Sequence, residues 1–298
     1  GDKIFNVYTN SLGFKDKEIK NINKQSDRKR ILFLGDSFTE GIGMTWDESF
    51  VGILQEKHPE LELLNAAVVS YSPMLYYLKL RYLLEQQHLK IDEVFVFIDN
   101  SDPLNEITYR DFIPYPNNKL KIFFINIKRF LFGHSYLYYS LSEIFLKNRR
   151  NPVTESWNRA KGGAFVDEVA SSPDDFIAAI SYWSLNPETY SIWGKKGLDL
   201  AGENMANLAG LCKVSKIKLN IVIYPWPALI RERSLENVQV KYWEAFCNKA
   251  NLKFINLYPA FINPAGSDFI LREYFISGDV HWNESGHRYV AELISPYL

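Results

Sequence analysis

The sequence predicts an α/β protein organised around a parallel β-sheet of about five strands. Short runs rich in β-forming residues alternate with segments whose apolar residues recur at helical spacing. That alternation is the order that right-handed crossovers produce in a parallel sheet. A length of 298 residues allows a sizeable core, and 23% charged residues are typical of a folded chain. The net charge of −1 gives the chain no global electrostatic reason to bind nucleic acid.

Three strands are predicted in the first third of the chain. Residues 31–34 form a continuous apolar run that ends at a glycine, which is typical of a strand buried on both faces. The predicted elements are a strand near 30–35, a helix at 46–57, a strand at 61–69, a helix from Pro73 to about His88, and a strand at 93–98. Residues 1–29 are polar and rich in turn-forming residues, so we expect an extended arm or loop there.

The same rhythm returns near residue 187. The predicted elements are a helix at about 187–215, a strand at 219–224, a helix at 234–250, a strand at 254–257, a loop at 258–278 and a helix at 283–295. Residues 103–187 are far too long for an ordinary connection of about 4 to 6 residues. We interpret them as a largely helical insertion, a lid or a subdomain. The predicted organisation is a single domain over 1–298 with this insertion and the N-terminal arm.

One helical face stands out inside the insertion. Lys and Arg residues surround this face. Its members recur every three or four positions, which is helical spacing: Phe123, Ile127, Phe130, His134, Leu137, Leu141 and Ile144. A basic amphipathic helix can lie on a membrane surface, but packing against the sheet domain is the commoner outcome and is preferred here. His134 is then a core or rim histidine rather than a ligand.

Compartment is indicated only indirectly. No run reaches the roughly 18 to 20 apolar residues that span a bilayer. The chain starts at Gly1 rather than at a methionine, so we expect a piece trimmed from a longer protein, and a signal peptide or membrane anchor stays open. An extracytoplasmic location, whether periplasmic, secreted or membrane-anchored, is the expectation. Cys212 and Cys247 each fall in a predicted helix, which argues against a disulfide framework or a zinc site; their pairing is left open.

The sequence GDSFTEG at residues 35–41 follows the first predicted strand. Ser37 would lie at the carboxyl end of that strand, where open α/β sheets bind their ligands. A serine at a strand–helix turn also suits a helix N-cap, and the tripeptide Gly-Asp-Ser taken alone favours the cap.

A second informative stretch, SGDVHWNESGHRY at 277–289, precedes the final predicted helix. Asp279 and His281 are two residues apart, so in an extended segment their side chains leave on the same side, with Cα atoms roughly 7 Å apart. A carboxylate that orients a histidine leaves the other ring nitrogen available as a general base for a serine. Asn283 is predicted to cap the helix, and Gly286 to allow close packing of its first turn.

Together these two stretches resemble the SGNH (GDSL-like) hydrolase family, which has GDSFTEG-type and D-x-H-x-N-x-x-G-H-type motifs in this order and context. The resemblance covers residues 30–102 and 219–298, and leaves out the arm and the insertion. It implies a three-layer α/β/α, flavodoxin-like fold and ester hydrolysis or acyl transfer through an acyl-serine. By that resemblance Ser37 is the nucleophile, His281 the base and Asp279 the acid that orients it.

Three features depart from the family pattern. The family commonly has Asp three residues before His, whereas Asp279 stands two before it, in a D-x-H pair similar to that of alginate-type polysaccharide O-acetyltransferases. A glycine that donates its backbone N–H to the oxyanion is replaced by Ser70. An asparagine that donates from its side chain is replaced by Ser101, with Asn100 or Asn105 as alternatives.

The sequence therefore predicts a serine esterase acting on a small acyl ester, an O-acetyl group on a carbohydrate being preferred. The oxyanion would be held by the backbone N–H groups of Ser37 and Ser70 and by the side chain of Ser101 or Asn100. One alternative is a polysaccharide O-acetyltransferase of the same fold. Another is a non-catalytic carbohydrate-binding or assembly protein that has lost its oxyanion hole.

Three aromatic residues are candidates for substrate binding: Trp226 after the fourth strand, Trp282 beside the predicted base, and Tyr71 in the turn after the second strand. Such side chains stack on sugar rings, and they equally pack around a buried triad. The chain has no glycine-rich nucleotide motif and no H-E-x-x-H, so neither a cofactor nor a metal is expected. The expected partner is a small acyl ester or an acylated glycan.

Overall fold

The protein is described by a computed structural model, which covers residues 6–109, 173–262 and 266–298. The chain forms two compact units, one of Gly1–Glu106 with Ala178–Leu298 and one of Ile107–Ile177. The amphipathic face predicted between residues 123 and 144, with His134, lies outside the described residues. The single domain predicted for 1–298, with an insertion at 103–187, stays a prediction.

Seven described strands form one sheet. They are β1 (Tyr8–Thr9), β2 (Lys15–Asp16), β3 (Lys29–Leu34), β4 (Leu61–Asn65), β5 (Glu93–Ile98), β6 (Lys218–Ile223) and β7 (Lys253–Asn256). The order across the sheet is β1-β2-β4-β3-β5-β6-β7, and β3 to β7 pair in parallel. The five predicted parallel strands are confirmed, although the second ends at Asn65 rather than at residue 69.

The helices connect and cover these strands. They are α1 (Ser37–Glu40), α2 (Phe50–Lys57), α3 (Pro73–Glu85), α4 (Asp102–Tyr109), α5 (Pro173–Tyr182), α6 (Pro187–Thr189), α7 (Lys195–Val214), α8 (Pro227–Arg231), α9 (Val238–Ala250), α10 (Tyr258–Phe261), α11 (Ser267–Tyr274) and α12 (Glu284–Ile294). One π-helical turn, Tyr190–Gly194, joins α6 to α7, so the long helix predicted at 187–215 is nearly continuous. The predicted loop at 258–278 is wrong in part, because α10 and α11 are helical; segments this short carry little periodicity.

Residues 8–16 of the N-terminal arm form a β-hairpin that was not predicted, whereas 17–28 contain no helix or strand. Asn10 Oδ1 accepts hydrogen bonds from the backbone N–H groups of Leu12 and Phe14, which closes the turn. Gly13 adopts a φ of 73°, a left-handed conformation that glycine reaches without strain. The second hairpin strand, β2, then pairs antiparallel with β4 through Lys15 and Asn65. Polar composition concealed this hairpin, since its turn is built by one Asn side chain rather than by an apolar pattern.

Helices cover both faces of the sheet, which gives the predicted three layers. On one face α2 and α12 pack together, and a buried cluster joins them to the strands through Phe33, Phe50, Phe97 and Val290. Helix α7 packs against both α3 and α9. None of the described helices combines the length and apolar character that crossing a membrane requires. Cys212 in α7 and Cys247 in α9 are buried and unpaired, and burial raises the pKa of each thiol to about 12.

Candidate active site

Ser37 lies at the switch point of the parallel sheet. The chain passes from β3 to β4 on one side and then to β5 on the other, so the loops after β3 and β5 diverge. Ligands of open α/β sheets bind in the crevice between such loops, at the carboxyl ends of the strands. Ser37 follows the end of β3 by three residues, and Asp99 follows β5 directly.

A tight turn presents Ser37 at the start of α1. Asp36 is the N-cap, and its Oδ1 accepts the N–H of Phe38 at 3.1 Å. At Gly35 a Cβ would lie 2.2 Å from Thr39 Oγ1, so no larger residue fits there. The N–H of Ser37 belongs to the first turn of the helix, where backbone donors have no partner within the helix. The tripeptide taken alone favours Ser37 as the cap, but in the structure Asp36 caps the helix and Ser37 is its first residue.

The structure brings together the three residues of the predicted triad. Ser37 Oγ lies 2.8 Å from His281 Nε2. His281 Nδ1 lies 2.7 Å from Asp279 Oδ1. In the tautomer that donates from Nδ1 to Asp279, Nε2 accepts the hydroxyl hydrogen of Ser37, which is the arrangement that activates a serine. The ring of His281 also packs against Phe38, with 4.8 Å between ring centroids.

A turn, rather than the extended segment expected from the sequence, joins the aspartate to the histidine. Phe275 pairs with Trp282 as an isolated β-bridge, and the backbone N–H of Ile276 donates to the carbonyl of His281. Gly278, three residues before the histidine, has a φ of 77°, a left-handed conformation that glycine reaches without strain. Asp279, two residues before the histidine, supplies the carboxylate.

Asp279 is held by its own turn as well as by His281. Its Oδ1 accepts the backbone N–H groups of Val280 at 2.6 Å and His281 at 3.2 Å. Burial acts to raise the pKa of Asp279, but the hydrogen bonds and charge of His281 outweigh it and hold that pKa below its ordinary value. The carboxylate therefore stays ionised through the neutral range.

Replacement of Asp279 by Asn should lower kcat by about 10²- to 10⁴-fold, because an amide no longer favours the productive tautomer and charge of His281. The side chain of Asp279 is 45% exposed, so solvent can reach it. If solvent orients His281 in place of the carboxylate, the loss of kcat is expected at the lower end of this range. Steady-state ester hydrolysis measures the loss. Unchanged kcat in D279N would show that His281 works without this carboxylate.

Asn283 and Gly286 fix the start of α12 behind the histidine, as predicted. Asn283 Oδ1 accepts the N–H of Gly286 at 2.9 Å, so Asn283 caps the helix. A Cβ at Gly286 would lie 2.2 Å from the carbonyl oxygen of Tyr274, a backbone atom that cannot turn aside.

Gly286→Ala should therefore lower the free energy of unfolding by about 1 to 3 kcal/mol through overpacking. Gly210→Ala, in the interior of α7, is the matched control, because a Cβ there meets no atom within 4 Å. That control should leave stability unchanged or raise it by up to about 1 kcal/mol. Urea unfolding of the two variants decides, and equal stability of both would contradict the close packing at Gly286.

The predicted oxyanion side chains are engaged elsewhere. Ser101 Oγ donates to Asp99 Oδ1 at 2.6 Å. Asn100 is fully buried, and its Nδ2 donates to the carbonyl of Ile180 at 2.8 Å, so the suggestion that it reaches the oxyanion is wrong for this conformation. Ser70 has a φ of 61°, where a glycine would sit without strain. Asn105 Nδ2 lies 3.4 Å from Ser101 Oγ.

The three aromatic candidates differ in accessibility. Trp282 is 1% exposed and packs against Phe38 and Tyr224, so its proposed role in stacking on a sugar is corrected to one in the core. Trp226 is largely buried, and its Nε1 donates to Asp99 Oδ2 at 2.7 Å. Tyr71 is half-buried and lies beside Lys79, whose Nζ is 5.1 Å from the ring centroid. Tyr71 alone of the three keeps an accessible face.

Two groups near Ser37 were missed by sequence reasoning. Lys15, from the hairpin, is buried, and its Nζ donates to the carbonyls of Gly41 at 2.7 Å and Met44 at 2.6 Å. It thereby holds the loop after α1, and burial lowers its pKa to about 8. Asp36 and Asp99 form a buried network with Tyr224. No local spacing signals either group, since each is assembled from distant segments.

Comparisons with known proteins find no matching protein-family model and no matching curated protein. Solved structures do match. A lipolytic protein of the G-D-S-L family from Desulfitobacterium hafniense has 12% identity and a TM-score of 0.48, covering 91% of this chain and 100% of its own. A GDSL-like lipase from Bacteroides thetaiotaomicron has 14% identity and a TM-score of 0.47, with 93% and 91% covered. The esterase EstA from Pseudoalteromonas has 12% identity and a TM-score of 0.46, with 90% and 95% covered. The chain is thus similar to SGNH (GDSL-like) hydrolases in its two sequence motifs and to these solved structures.

Proposed function

We propose that the protein is a serine ester hydrolase of the SGNH type. The observation that carries the proposal is the continuous hydrogen-bonded line from Ser37 Oγ through His281 to Asp279, with heavy-atom distances of 2.8 and 2.7 Å. A serine activated by a carboxylate-oriented histidine attacks acyl carbonyls. The position of Ser37 at the switch point of the sheet supports the same conclusion.

The proposed reaction proceeds in two acyl-transfer steps. His281 Nε2 takes the hydroxyl proton as Ser37 Oγ attacks the ester carbonyl, and the same proton then leaves with the alcohol. A water molecule then gives a proton to His281 Nε2 as it attacks the acyl-serine carbonyl; the acyl–Oγ bond breaks, His281 returns that proton to Ser37 Oγ, and the acid is released. The N–H groups of Ser37 and Ser70 are the proposed oxyanion donors; removing one such donor typically costs about 2.7 to 4 kcal/mol.

The proposed substrate is a small acyl ester, with O-acetyl on a carbohydrate preferred. Support comes from the D-x-H pair, which is similar to that of alginate-type O-acetyltransferases, and from Tyr71, whose accessible face suits a sugar ring. Rates with p-nitrophenyl esters of rising chain length, and acetate release from acetylated oligosaccharides, test this. Preference for long acyl chains with no acetate release from glycans would contradict the proposed substrate.

An acetyltransferase reaction would use the same acyl-serine with a sugar hydroxyl in place of water. Adding an unacetylated oligosaccharide to a p-nitrophenyl acetate assay separates the two. Acetylated oligosaccharide in the products would favour transfer, and acetate alone would favour hydrolysis.

One observation favours the non-catalytic alternative. The hydroxyl of Ser101 is committed to Asp99, so the position that matches the family's asparagine offers no free hydrogen to an oxyanion. A protein without that donor would bind acylated glycans and turn them over slowly or not at all. Covalent labelling of Ser37 by a fluorophosphonate would exclude this alternative, and glycan binding without labelling would support it.

A further inference from the structure

The network behind Ser37 contains more hydrogen-bond acceptors than hydrogens. Tyr224 Oη lies 2.8 Å from Asp99 Oδ2 and 3.2 Å from Asp36 Oδ1, but a phenol has one hydrogen. Ser37 Oγ lies 2.8 Å from His281 Nε2 and 3.2 Å from Asp36 Oδ2, and it too has one hydrogen. In each case the shorter contact is to the group other than Asp36.

The carboxyl groups of Asp36 and Asp99 therefore accept hydrogen bonds from unequal numbers of donors. Asp99 accepts from the N–H and Oγ of Ser101 at 2.7 and 2.6 Å, from Trp226 Nε1 at 2.7 Å and from Tyr224 Oη at 2.8 Å. Once Tyr224 and Ser37 have given their hydrogens to the shorter contacts, Asp36 keeps one donor among the described residues, the N–H of Phe38. A buried carboxylate with four donors is well stabilised, and one with a single donor is not.

We propose that Asp36 is a positioning residue that holds a proton at neutral pH, while Asp99 carries the negative charge of the pair. The proton of Asp36 supplies the missing hydrogen in the contact of Oδ2 with Ser37 Oγ, because Oδ1 already accepts the N–H of Phe38. Neutral Asp36 leaves the hydroxyl hydrogen of Ser37 directed at His281. Ionised Asp36 would accept that hydrogen and turn it away from the base.

The surroundings of Asp36 agree with this assignment. Burial and the charge of Asp99 raise the pKa of Asp36 well above its ordinary value, against the hydrogen bonds from Phe38, Tyr224 and Ser37. The titratable groups that face it are Asp99 after β5, Tyr224 after β6, Asp102 in α4, Tyr76 in α3 and, across Ser37, His281 before α12. Among the described residues that face Asp36, no lysine or arginine compensates a second negative charge.

Protonation can be measured without any substrate. Infrared difference spectra at pH 7, recorded on protein labelled with ¹³C at the aspartate carboxyls, compare wild type with Asp36→Asn. We expect the wild type to show a neutral carboxylic acid carbonyl band that D36N lacks. A difference confined to carboxylate bands would overturn the proposal, whether or not the protein is an esterase.

A matched pair of variants tests the unequal charge. Asn reproduces a protonated aspartate and caps a helix equally well, so D36N should unfold at or above the wild-type temperature at pH 7. Both oxygens of Asp99 accept hydrogen bonds, so in Asp99→Asn the side-chain NH₂ group would face at least one existing donor. This substitution should lower the Tm by about 5 to 10 °C. Equal losses in D36N and D99N would overturn the assignment.

The pH dependence of stability has a definite sign. A carboxyl whose pKa is raised on folding binds more proton in the native state, so stability falls as pH rises from its unfolded pKa toward its folded one. The advantage of D36N over wild type should therefore be largest at neutral pH and vanish under acidic conditions. An advantage that is the same at both pH values would contradict the proposal.

The effect on catalysis rests on the proposed function. After subtraction of the uncatalysed rate, kcat/KM of the wild type for p-nitrophenyl acetate should fall at alkaline pH as Asp36 ionises, and D36N should lack that fall. Asp36→Ala should lose kcat at every pH, which D36N should largely rescue. A fall of the same size in D36N would refute the positioning role, whereas absence of activity in all variants would instead count against esterase function and leave the infrared result decisive.

Discussion

Ser37→Ala is expected to reduce ester hydrolysis by at least about 10⁴-fold in kcat, because it removes the atom that forms the acyl intermediate. Its fold should be unaffected, since among the described residues the hydroxyl bonds only His281 and Asp36, and the helix cap belongs to Asp36. Activity on p-nitrophenyl acetate, measured with the Tm of each protein, provides the comparison. Labelling by a fluorophosphonate should disappear in the same variant.

An exposed serine supplies the matched control for that experiment. Ser215 follows α7 and is exposed to solvent, so Ser215→Ala should keep wild-type kcat. Equal activity in S37A and wild type would remove Ser37 as the nucleophile, and with it the proposed reaction. Loss of activity together with a lowered Tm would instead indicate misfolding.

Glu106→Ala is expected to lower the free energy of unfolding by about 3 kcal/mol, the largest change in stability anticipated for a residue outside the triad. Glu106 is buried, and its carboxylate accepts the hydroxyl of Ser72, the N–H of Met74 and Nδ2 of Asn204, each at 2.7 Å. It thus caps α3 from α4, because Ser72 at the N-cap makes no side-chain cap bond of its own. Alanine would remove the acceptor of the buried hydroxyl of Ser72 and of the part-buried donors of Met74 and Asn204.

Urea unfolding measures this loss, and a surface glutamate serves as its control. Glu85 ends α3 and is exposed, so Glu85→Ala should change stability by no more than about 0.5 kcal/mol. Since α3 begins two residues after Tyr71, a part of the kcat of E106A should also be lost through the turn that carries Ser70. Wild-type stability in E106A would show that solvent replaces the carboxylate.

The fold was predictable where the local sequence itself indicates burial. The runs at 31–34 and 94–98 are apolar throughout, as is typical of strands covered on both faces, and both proved to lie in central strands. The hairpin was not predictable in the same way, because its turn depends on the side chain of Asn10 and its pairing on distant Asn65. Helices α10 and α11 are too short for their periodicity to appear.

The residues of the candidate site were likewise predictable only where a short sequence spacing indicates them. Ser37, Asp279 and His281 follow from short spacings, and the structure places them in contact. Residue type alone did not separate Trp282, which lies in the core, from the half-buried Tyr71, since both are aromatic and both lie near the site.

The Asp36–Asp99 network escaped prediction because three strand ends build it. Tyr224 contacts Asp36 and Asp99 across 188 and 125 positions of the chain, and only folding decides which oxygen faces which hydrogen. Ser101 illustrates the point, since its sequence position suggests an oxyanion donor and its actual contact is Asp99.

The distance along the chain between nucleophile and base has a consequence for biosynthesis. Ser37 and His281 are 244 positions apart, so their contact forms only after a long stretch of chain has followed the serine. A nascent polypeptide released before α12 is synthesised would display the serine without its base. Onset of reactivity toward a fluorophosphonate would therefore time the formation of the Ser37–His281 contact during folding.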